Sequence, residues 1–199
     1  MILLAFGTRP EYIKIDPLIK EFTKQGIPFK TLFTGQHKDL LKEVKADFEF
    51  EIVSVKSTNR LSNIFLNILE QFDTIDSQQF DYVLVQGDTT SAFAVAVAAF
   101  NYQVPVIHLE AGLRTYDPFS PYPEEFNRRS ISALTTVHLC PTKLSWENLK
   151  KEGIKDNLYI VGNSVLDNLA HLKGKPSNNK VLVTLHRREK YQEIENWFK

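Results

Sequence analysis

The chain has 199 residues with 24 basic and 24 acidic side chains, so its formal net charge is zero and a nucleic-acid partner is not expected. Cys140 is the only cysteine, which excludes a disulfide within the chain and suits a reducing compartment. No apolar run approaches the ~20 residues that span a bilayer, and the first six residues indicate a buried strand, so we expect a cytoplasmic protein without a membrane partner.

Short apolar runs alternate with longer amphipathic segments along the chain. Unbroken apolar runs are typical of parallel strands that are buried on both faces. They predict strands at 2–6, 29–33, 81–86, 104–109, 136–140, 158–161 and 181–185, and leave 48–56 ambiguous. Apolar residues at helical spacing predict helices at 10–25, 38–47, 61–75, 89–101, 124–134, 143–152 and 164–173.

This alternation of strands and helices indicates βαβ crossovers and an α/β fold with a doubly wound parallel sheet. We expect a Rossmann-like domain at 1–173, followed by a linker at 174–180 that is rich in Gly, Pro, Ser and Asn. Residues 181–199 are too few for a second domain, so we interpret them as the start of one.

Polar residues cluster after the predicted strands, together with glycines. In open α/β sheets ligands bind outside the carboxyl ends of the strands. Turn formation alone explains the glycines, but it does not explain why charged side chains converge on one edge. We therefore predict a ligand site there, formed by Arg9, His37, Asp88, Glu110, Arg114 and His186.

Several kinds of site are not supported. The chain has no G-x-G-x-x-G after its first strand and no P-loop motif, so no dinucleotide cofactor is predicted. No group of His, Asp or Glu has metal-ligand spacing, so we predict no metal. There is no G-x-S-x-G, and Cys140 lies inside a predicted strand, so nucleophilic catalysis is not supported either.

Arg9 directly precedes Pro10, which opens the first predicted helix. An arginine at a helix N-terminus is suited to bind an anion. The alternative is a surface arginine beside an ordinary N-cap, Thr8, and the sequence does not separate the two.

Each candidate carboxylate also has a structural explanation. Asp88 could cap the helix that follows it, and Glu110 could form an ion pair with Arg114. Glu124 and Glu125 open a helix, where the macrodipole favours acids. Three carboxylates at one edge would nevertheless suit acid–base chemistry on two faces of a substrate.

The five histidines divide by position. His108 and His138 lie inside apolar strands and are expected in the core, and His171 is expected on the surface. His37 and His186 lie at the ligand edge and are the functional candidates.

In chain order, the segments with recognisable motifs are "GTRPEYIKIDPLI", "TGQH", "VQGDTTSAFA", "HLEAGLRTYDPFSPYPEEFNRR", "PT" at 141–142, "VGNSVLD" and "VTLHRRE". Taken together, these segments resemble those of a known family, the bacterial UDP-N-acetylglucosamine 2-epimerases, over nearly the whole length of the chain. The long acidic and arginine-rich motif and "HRRE" carry the resemblance, and the short motifs support it.

The resemblance implies a two-domain fold of the glycosyltransferase-B type with a cleft between Rossmann-like domains. It also implies interconversion of UDP-GlcNAc and UDP-ManNAc, which serves surface polysaccharide synthesis. The implied route eliminates UDP across C1–C2 and then adds it back with the C2 proton on the other face. Non-hydrolysing members are usually homodimers, and many bind a second UDP-GlcNAc as an activator.

Roles carried over from the family fall into three groups. The implied catalytic residues are Asp88, Glu110, Glu124 and His186. The implied substrate-binding residues are Arg9, Lys14, Arg114, Arg128 and Arg187, with Arg114 and Arg128 also expected to hold carboxylates in place. Gln36 and His37 resemble the activator site.

Family members are roughly twice this length, so we expect 1–199 to fold without appreciable turnover on its own. Two alternatives stay open. One is a hydrolysing epimerase that releases ManNAc and UDP, and the other is a nucleotide-sugar binding module without catalysis.

Overall fold

The structure, a computed structural model, describes residues 1–37, 44–53 and 57–170, together with residues 172 and 174. Its strands are β1 (Ile2–Phe6), β2 (Phe29–Phe33), β3 (Phe48–Glu49), β4 (Tyr82–Gln86), β5 (Val106–Leu109), β6 (Thr135–Cys140) and β7 (Leu158–Ile160). They form one parallel sheet in the order β3-β2-β1-β4-β5-β6-β7. The predicted doubly wound parallel sheet is therefore confirmed.

Five α-helices connect or flank these strands in the described part of the chain. They are α1 (Arg9–Gln25), α2 (Arg60–Phe72), α3 (Thr90–Asn101), α4 (Glu124–Leu134) and α5 (Lys143–Lys151). Thr8 begins α1 with a capping box, in which its side chain accepts from the amide of Glu11 while the Glu11 side chain accepts from the amide of Thr8. None of the described helices is both long and apolar enough to cross a membrane.

Four predicted elements differ from the structure or lie partly or wholly outside the described residues. The predicted helix at 164–173 is a 3₁₀ helix, Ser164–Leu169, whose leucines are exposed and so bring little burial to stabilise a longer helix. The ambiguous strand at 48–56 is reduced to the two residues of β3. In the predicted helix at 38–47, residues 44–46 are not helical, and residues 38–43 lie outside the described residues. The strand predicted at 181–185 also lies outside them, because residues 175–199 are not described.

The core lies on both faces of the sheet because successive strand residues point to opposite sides. Leu3 and Ala5 of β1 pack on one face in the cluster that contains α2 and α3 residues. Leu4 and Phe6 pack on the other face, in the cluster that contains Ile15 of α1. Burial on both faces explains why these strands are continuous apolar runs in the sequence.

Candidate active site

The loops after β1, β4 and β5 bring the predicted polar residues to one edge of the sheet. Helix α1 leads from β1 to β2 on one side of β1, whereas β4 pairs with β1 on the other side. The strand order therefore changes direction at β1. Gly7 lies at this point, and a Cβ on it would come within 2.2 Å of Thr34 Oγ1 and 2.4 Å of Ser91 Oγ. The close approach of the loop after β1 to Thr34 and to the start of α3 therefore requires a glycine.

Glu11 holds the loop after β1. Its buried carboxylate accepts hydrogen bonds from the amides of Gly7 (2.9 Å) and Thr8 (2.7 Å) and from the Thr89 hydroxyl (2.6 Å). Burial raises the pKa of Glu11, although these hydrogen bonds oppose the rise. Because the two loop amides are already bonded to Glu11, an anion at this helix would depend on the side chain of Arg9, which is exposed.

Asp88 follows β4 and does not cap α3, because Thr89 is the N-cap and accepts from the amide of Ala92 (3.0 Å). The Asp88 carboxylate instead forms an ion pair with Arg128 of α4. Burial raises the pKa of Asp88, the guanidinium of Arg128 opposes the rise, and the carboxylates of Glu124 and Glu110 add to it. Glu124 and Glu110 are therefore close enough to Asp88 to affect its ionisation.

Glu110 directly follows β5 and has a left-handed conformation with φ of 70°. Its carboxylate accepts from the Lys14 ammonium and from the Gln86 side-chain amide. The alternative of an ion pair between Glu110 and Arg114 is wrong, because Lys14 of α1 is the partner of Glu110.

Arg114 lies in a different environment from the one that the sequence suggested. Its side chain is fully buried and forms a bidentate pair with Glu152, with both nitrogen–oxygen distances 2.7 Å. It also donates to the Leu113 carbonyl (2.8 Å) and the Ser132 hydroxyl (2.9 Å). The carboxylate that Arg114 holds is therefore Glu152, and these contacts leave its direct binding to substrate without structural support.

The two glutamates that open α4 differ in their contacts. Glu125 is 0% exposed and accepts from the amides of Thr115 and Tyr116, each at 3.0 Å, and lies 3.6 Å from the Arg128 guanidinium. Glu124 has a buried oxygen, Oε2, with no hydrogen-bond partner among the described residues. Glu125 thus fixes the loop before α4, and Glu124 is the member of the pair that is available for chemistry.

The predicted activator residues lie on the loop after β2. Gln36 accepts through its side-chain oxygen from the amide (3.2 Å) and the hydroxyl (2.6 Å) of Ser91 at the start of α3. His37 is exposed, and its amide donates to the Gly7 carbonyl at 2.8 Å. Both residues therefore lie at the edge of the sheet that carries Asp88, in contact with the start of α3 and with the loop after β1.

The core prediction for His108 and His138 is confirmed, since they are 0% and 2% exposed. Burial lowers the pKa of His108 to about 3 and that of His138 to about 4. The predicted site residues His186 and Arg187, and His171, lie outside the described residues.

Sequence reasoning missed three residues that hold the site together. The first is Glu11, for which the T-x-x-E spacing of a capping box was a usable signal. Gln86 contacts Glu110, and Asn127 donates from its side-chain amide to the Asp88 carbonyl at 2.9 Å. No sequence pattern indicates a role for Gln86 or Asn127, because only the fold brings them to these partners.

The arrangement combines proton-transfer groups with fixed cations. Asp88, Glu110 and Glu124 can give or take protons, while Lys14 and Arg128 balance part of the negative charge. Within the described ranges, no three or more His, Cys, Asp or Glu residues are grouped so that they could hold a metal ion.

Comparison with known proteins gives the family of this chain. The sequence model of the UDP-N-acetylglucosamine 2-epimerase family matches residues 20–199. The UDP-N-acetylglucosamine 2-epimerase of Neisseria meningitidis is 40% identical over 96% of this chain, which spans 58% of that relative's length.

Two solved structures extend the comparison. The crystal structure of the UDP-GlcNAc 2-epimerase from Neisseria meningitidis bound to UDP-GlcNAc is 43% identical with a TM-score of 0.77, over 84% of this chain and 48% of that one. MurG of Acinetobacter baumannii is 14% identical with a TM-score of 0.55, over 91% of this chain and 47% of that one, and this likeness concerns the fold alone. The fold is consistent with the N-terminal half of a glycosyltransferase-B architecture, and the chain belongs to the UDP-N-acetylglucosamine 2-epimerase family.

Proposed function

We propose that the chain provides the acid–base part of a non-hydrolysing UDP-N-acetylglucosamine 2-epimerase. The observation that carries this proposal is the cluster of Asp88, Glu110 and Glu124 at the edge of the sheet. Burial raises the pKa of Asp88, and the carboxylates of Glu124 and Glu110 add to the rise. A carboxyl whose pKa is raised holds its proton more readily than usual, which suits a residue that takes and returns protons. The solved relative that is bound to UDP-GlcNAc supports the same substrate for this chain.

The chemistry explains why more than one carboxyl is needed. The C2 hydrogen of the sugar has no adjacent carbonyl, so removing it as a proton without another change would be too costly. A carboxylate takes the C2 proton, the C–H electron pair forms the C1–C2 double bond, and the C1–oxygen bond to UDP breaks. A carboxylic acid then returns a proton to the opposite face of C2 while UDP adds back to C1.

Cations would assist the departure of UDP. Negative charge develops on the diphosphate as the C1–oxygen bond breaks, and positive side chains stabilise it. Arg9 is exposed at the start of α1, and Lys14 lies on the same helix beside Glu110. We assign Arg9 and Lys14 to this role, together with Arg187, and we assign Gln36 and His37 to an activator site beside it.

Two other functions would use the same chain. A hydrolysing epimerase would release ManNAc and UDP, and a binding module would hold the nucleotide sugar without turnover. The carboxylate cluster favours an enzyme, because a module that only binds an anionic nucleotide gains nothing from three acids at its site.

Proton NMR of UDP-GlcNAc in D₂O tests the proposal. We expect little turnover by 1–199, since the chain spans only 58% of the Neisseria meningitidis relative. A hybrid in which the rest of that relative follows this chain should incorporate deuterium at C2 and produce UDP-ManNAc. Circular dichroism is the control for folding of the hybrid, and the activity of the unaltered relative is the control for the assay.

Each outcome in the folded hybrid has a distinct meaning. Loss of turnover in Glu124→Gln supports the carboxylate assignment, and near-normal turnover in that variant excludes it. Free ManNAc would identify the hydrolysing branch. Tight binding of UDP-GlcNAc with no deuterium incorporation would identify the binding module.

We also propose that two copies of the chain associate. An apolar face, defined by Leu66, Phe93, Val97, Phe100 and Phe126, extends from α2 across α3 to α4. Leu66, Phe100 and Phe126 are 40%, 57% and 52% exposed, although large exposed apolar patches are uncommon on monomers. Residues 93, 97 and 100 have the spacing of one helical face, and α3 contains no charged residue.

A further inference from the structure

The conformation of Asp88 is not set by regular secondary structure. It lies between the end of β4 and the start of α3, and the preceding residue, Gly87, has φ of 73°. Glycine is conformationally permissive, so a turn of this kind needs other contacts to keep one geometry. The main-chain bond from the Gly87 amide to the Leu109 carbonyl (3.0 Å) fixes only the start of the turn.

A buried histidine fixes the peptide that precedes Asp88. Nε2 of His108 lies 2.7 Å from the Gly87 carbonyl oxygen, which belongs to the Gly87–Asp88 peptide. A carbonyl can only accept, so Nε2 must carry the proton. Since burial lowers the pKa of His108 to about 3, the ring stays neutral with this tautomer across the physiological range.

A buried asparagine fixes the peptide that follows. The side-chain amide of Asn127 donates to the carbonyl oxygen of Asp88, 2.9 Å away, and Asn127 is 4% exposed. The two peptide planes on either side of the Asp88 Cα are therefore each bonded to a buried side chain, one from β5 and one from α4. Arg128 holds the carboxylate itself.

We propose that His108 and Asn127 are positioning residues that fix the direction of the Asp88 carboxylate towards Glu110 and Glu124. The proposal depends on the proposed function only for the catalytic meaning of Asp88. Nδ1 of His108 is buried without a hydrogen-bond partner among the described residues, so Nε2 carries the hydrogen bond of the ring to Gly87.

The titration of Asp88, followed by ¹³C NMR in the 199-residue chain, tests this proposal without any need for turnover. The Asp88 signal is identified as the one that is absent from Asp88→Asn. The groups that face Asp88 are Arg128 and Glu124 of α4 and Glu110 at the end of β5. If the turn is released, the carboxyl gains access to water and its pKa falls towards the ordinary value.

The variants separate positioning from packing. His108→Phe removes the donor, and we expect the Asp88 midpoint to fall by about one pH unit. His108→Gln keeps an amide N–H at similar reach and should retain the wild-type midpoint. His138→Phe is the matched control, because His138 is also buried, pairs in register with His108 on β6, and has its Nδ1 without a partner within the described ranges.

Thermal unfolding of the same variants gives the structural comparison. The proposal expects His108→Phe and His138→Phe to lose similar stability while only the former moves Asp88. An unchanged Asp88 midpoint in His108→Phe, or an equal shift in His138→Phe, would overturn it. If His108→Phe does not fold, Asn127→Ala decides, since it should also lower the Asp88 midpoint and a wild-type midpoint there contradicts the proposal.

Discussion

At the scale of single residues, the neighbours Glu124 and Glu125 allow a matched comparison. Glu125→Gln replaces one acceptor oxygen by a donor that faces the amide of Thr115 or Tyr116, so the free energy of unfolding should fall by roughly 1–3 kcal/mol. Glu124→Gln breaks no hydrogen bond of Oε2 with the described residues and should change stability by less than about 0.5 kcal/mol. Urea denaturation of both variants measures the difference, and an equal loss in the two would refute the division of roles.

The pKa of Asp88 leads to a second residue-scale prediction. The pKa of Asp88 is raised in the folded chain, so ionisation of Asp88 favours the unfolded chain. This loss of stability is absent at pH values below the pKa of the unfolded state, and it is fully present above the pKa of the folded state. Asp88→Asn removes the ionisation and should stabilise the protein by roughly 0.5–2 kcal/mol at neutral pH.

Denaturant unfolding at pH 7 and near pH 3.5 checks the sign. The advantage of Asp88→Asn should shrink at the lower pH, where the wild-type carboxyl becomes protonated in both states. A variant that is less stable than wild type at pH 7 would mean that the ion pair with Arg128 outweighs burial.

The partners of Glu110 and Arg114 show what the sequence could not predict about the site. Their positions after β5 followed from the strand pattern, but the suggested pair joined residues only four apart in the chain. The left-handed conformation at Glu110 turns the following segment away, so Arg114 meets Glu152 while Glu110 meets Lys14. Side-chain direction after a turn of this kind depends on backbone angles that no motif encodes.

At the scale of elements, strand patterns were reliable because burial on both faces leaves a strong signal. The predicted strands at 2–6 and 29–33 coincide with β1 and β2. The 3₁₀ helix Ser164–Leu169 was predicted as a longer α-helix because its leucines have helical spacing, although they remain exposed in the described structure. Periodicity predicts a helical face, but only packing determines whether that face is buried.

Glu11 connects two of these elements and gives the element-scale prediction. Its carboxylate joins the loop after β1 to Thr89 at the start of α3. Glu11→Ala leaves the buried amides of Gly7 and Thr8 without an acceptor, so the free energy of unfolding should fall by about 2–5 kcal/mol. Glu11→Gln keeps one acceptor and should lose less.

Hydrogen exchange locates this effect. The amides of Gly7 and Thr8 should exchange faster in Glu11→Ala than the loss of global stability alone explains. The amides of β6 should exchange faster only by the amount that the loss of global stability explains. Uniform acceleration across the sheet would indicate that Glu11 contributes only general stability and does not specifically hold the loop.

At the scale of the whole molecule, the cytoplasmic location, the division into domains and the absence of a nucleic-acid partner remain predictions. Association of two copies is the whole-molecule proposal that the described surface supports directly. A two-fold axis that pairs the apolar face with itself and runs perpendicular to α2 would place the basic start of one α2, at Arg60, near the acidic end of the other, at Glu70 and Asp73. Charge thus favours the antiparallel arrangement of the two apolar faces over the parallel one.

Light scattering after gel filtration tests this association. Wild-type protein should elute as a dimer at micromolar concentration, and Phe100→Glu should be a monomer, because an unpaired carboxylate within an apolar interface is costly to desolvate. Leu144→Glu is the matched control, since Leu144 is 64% exposed on α5, away from the apolar face, and this variant should remain a dimer. A wild-type monomer would remove the proposed pairing, and a dimer that survives in Phe100→Glu but not in Leu144→Glu would move the interface to α5.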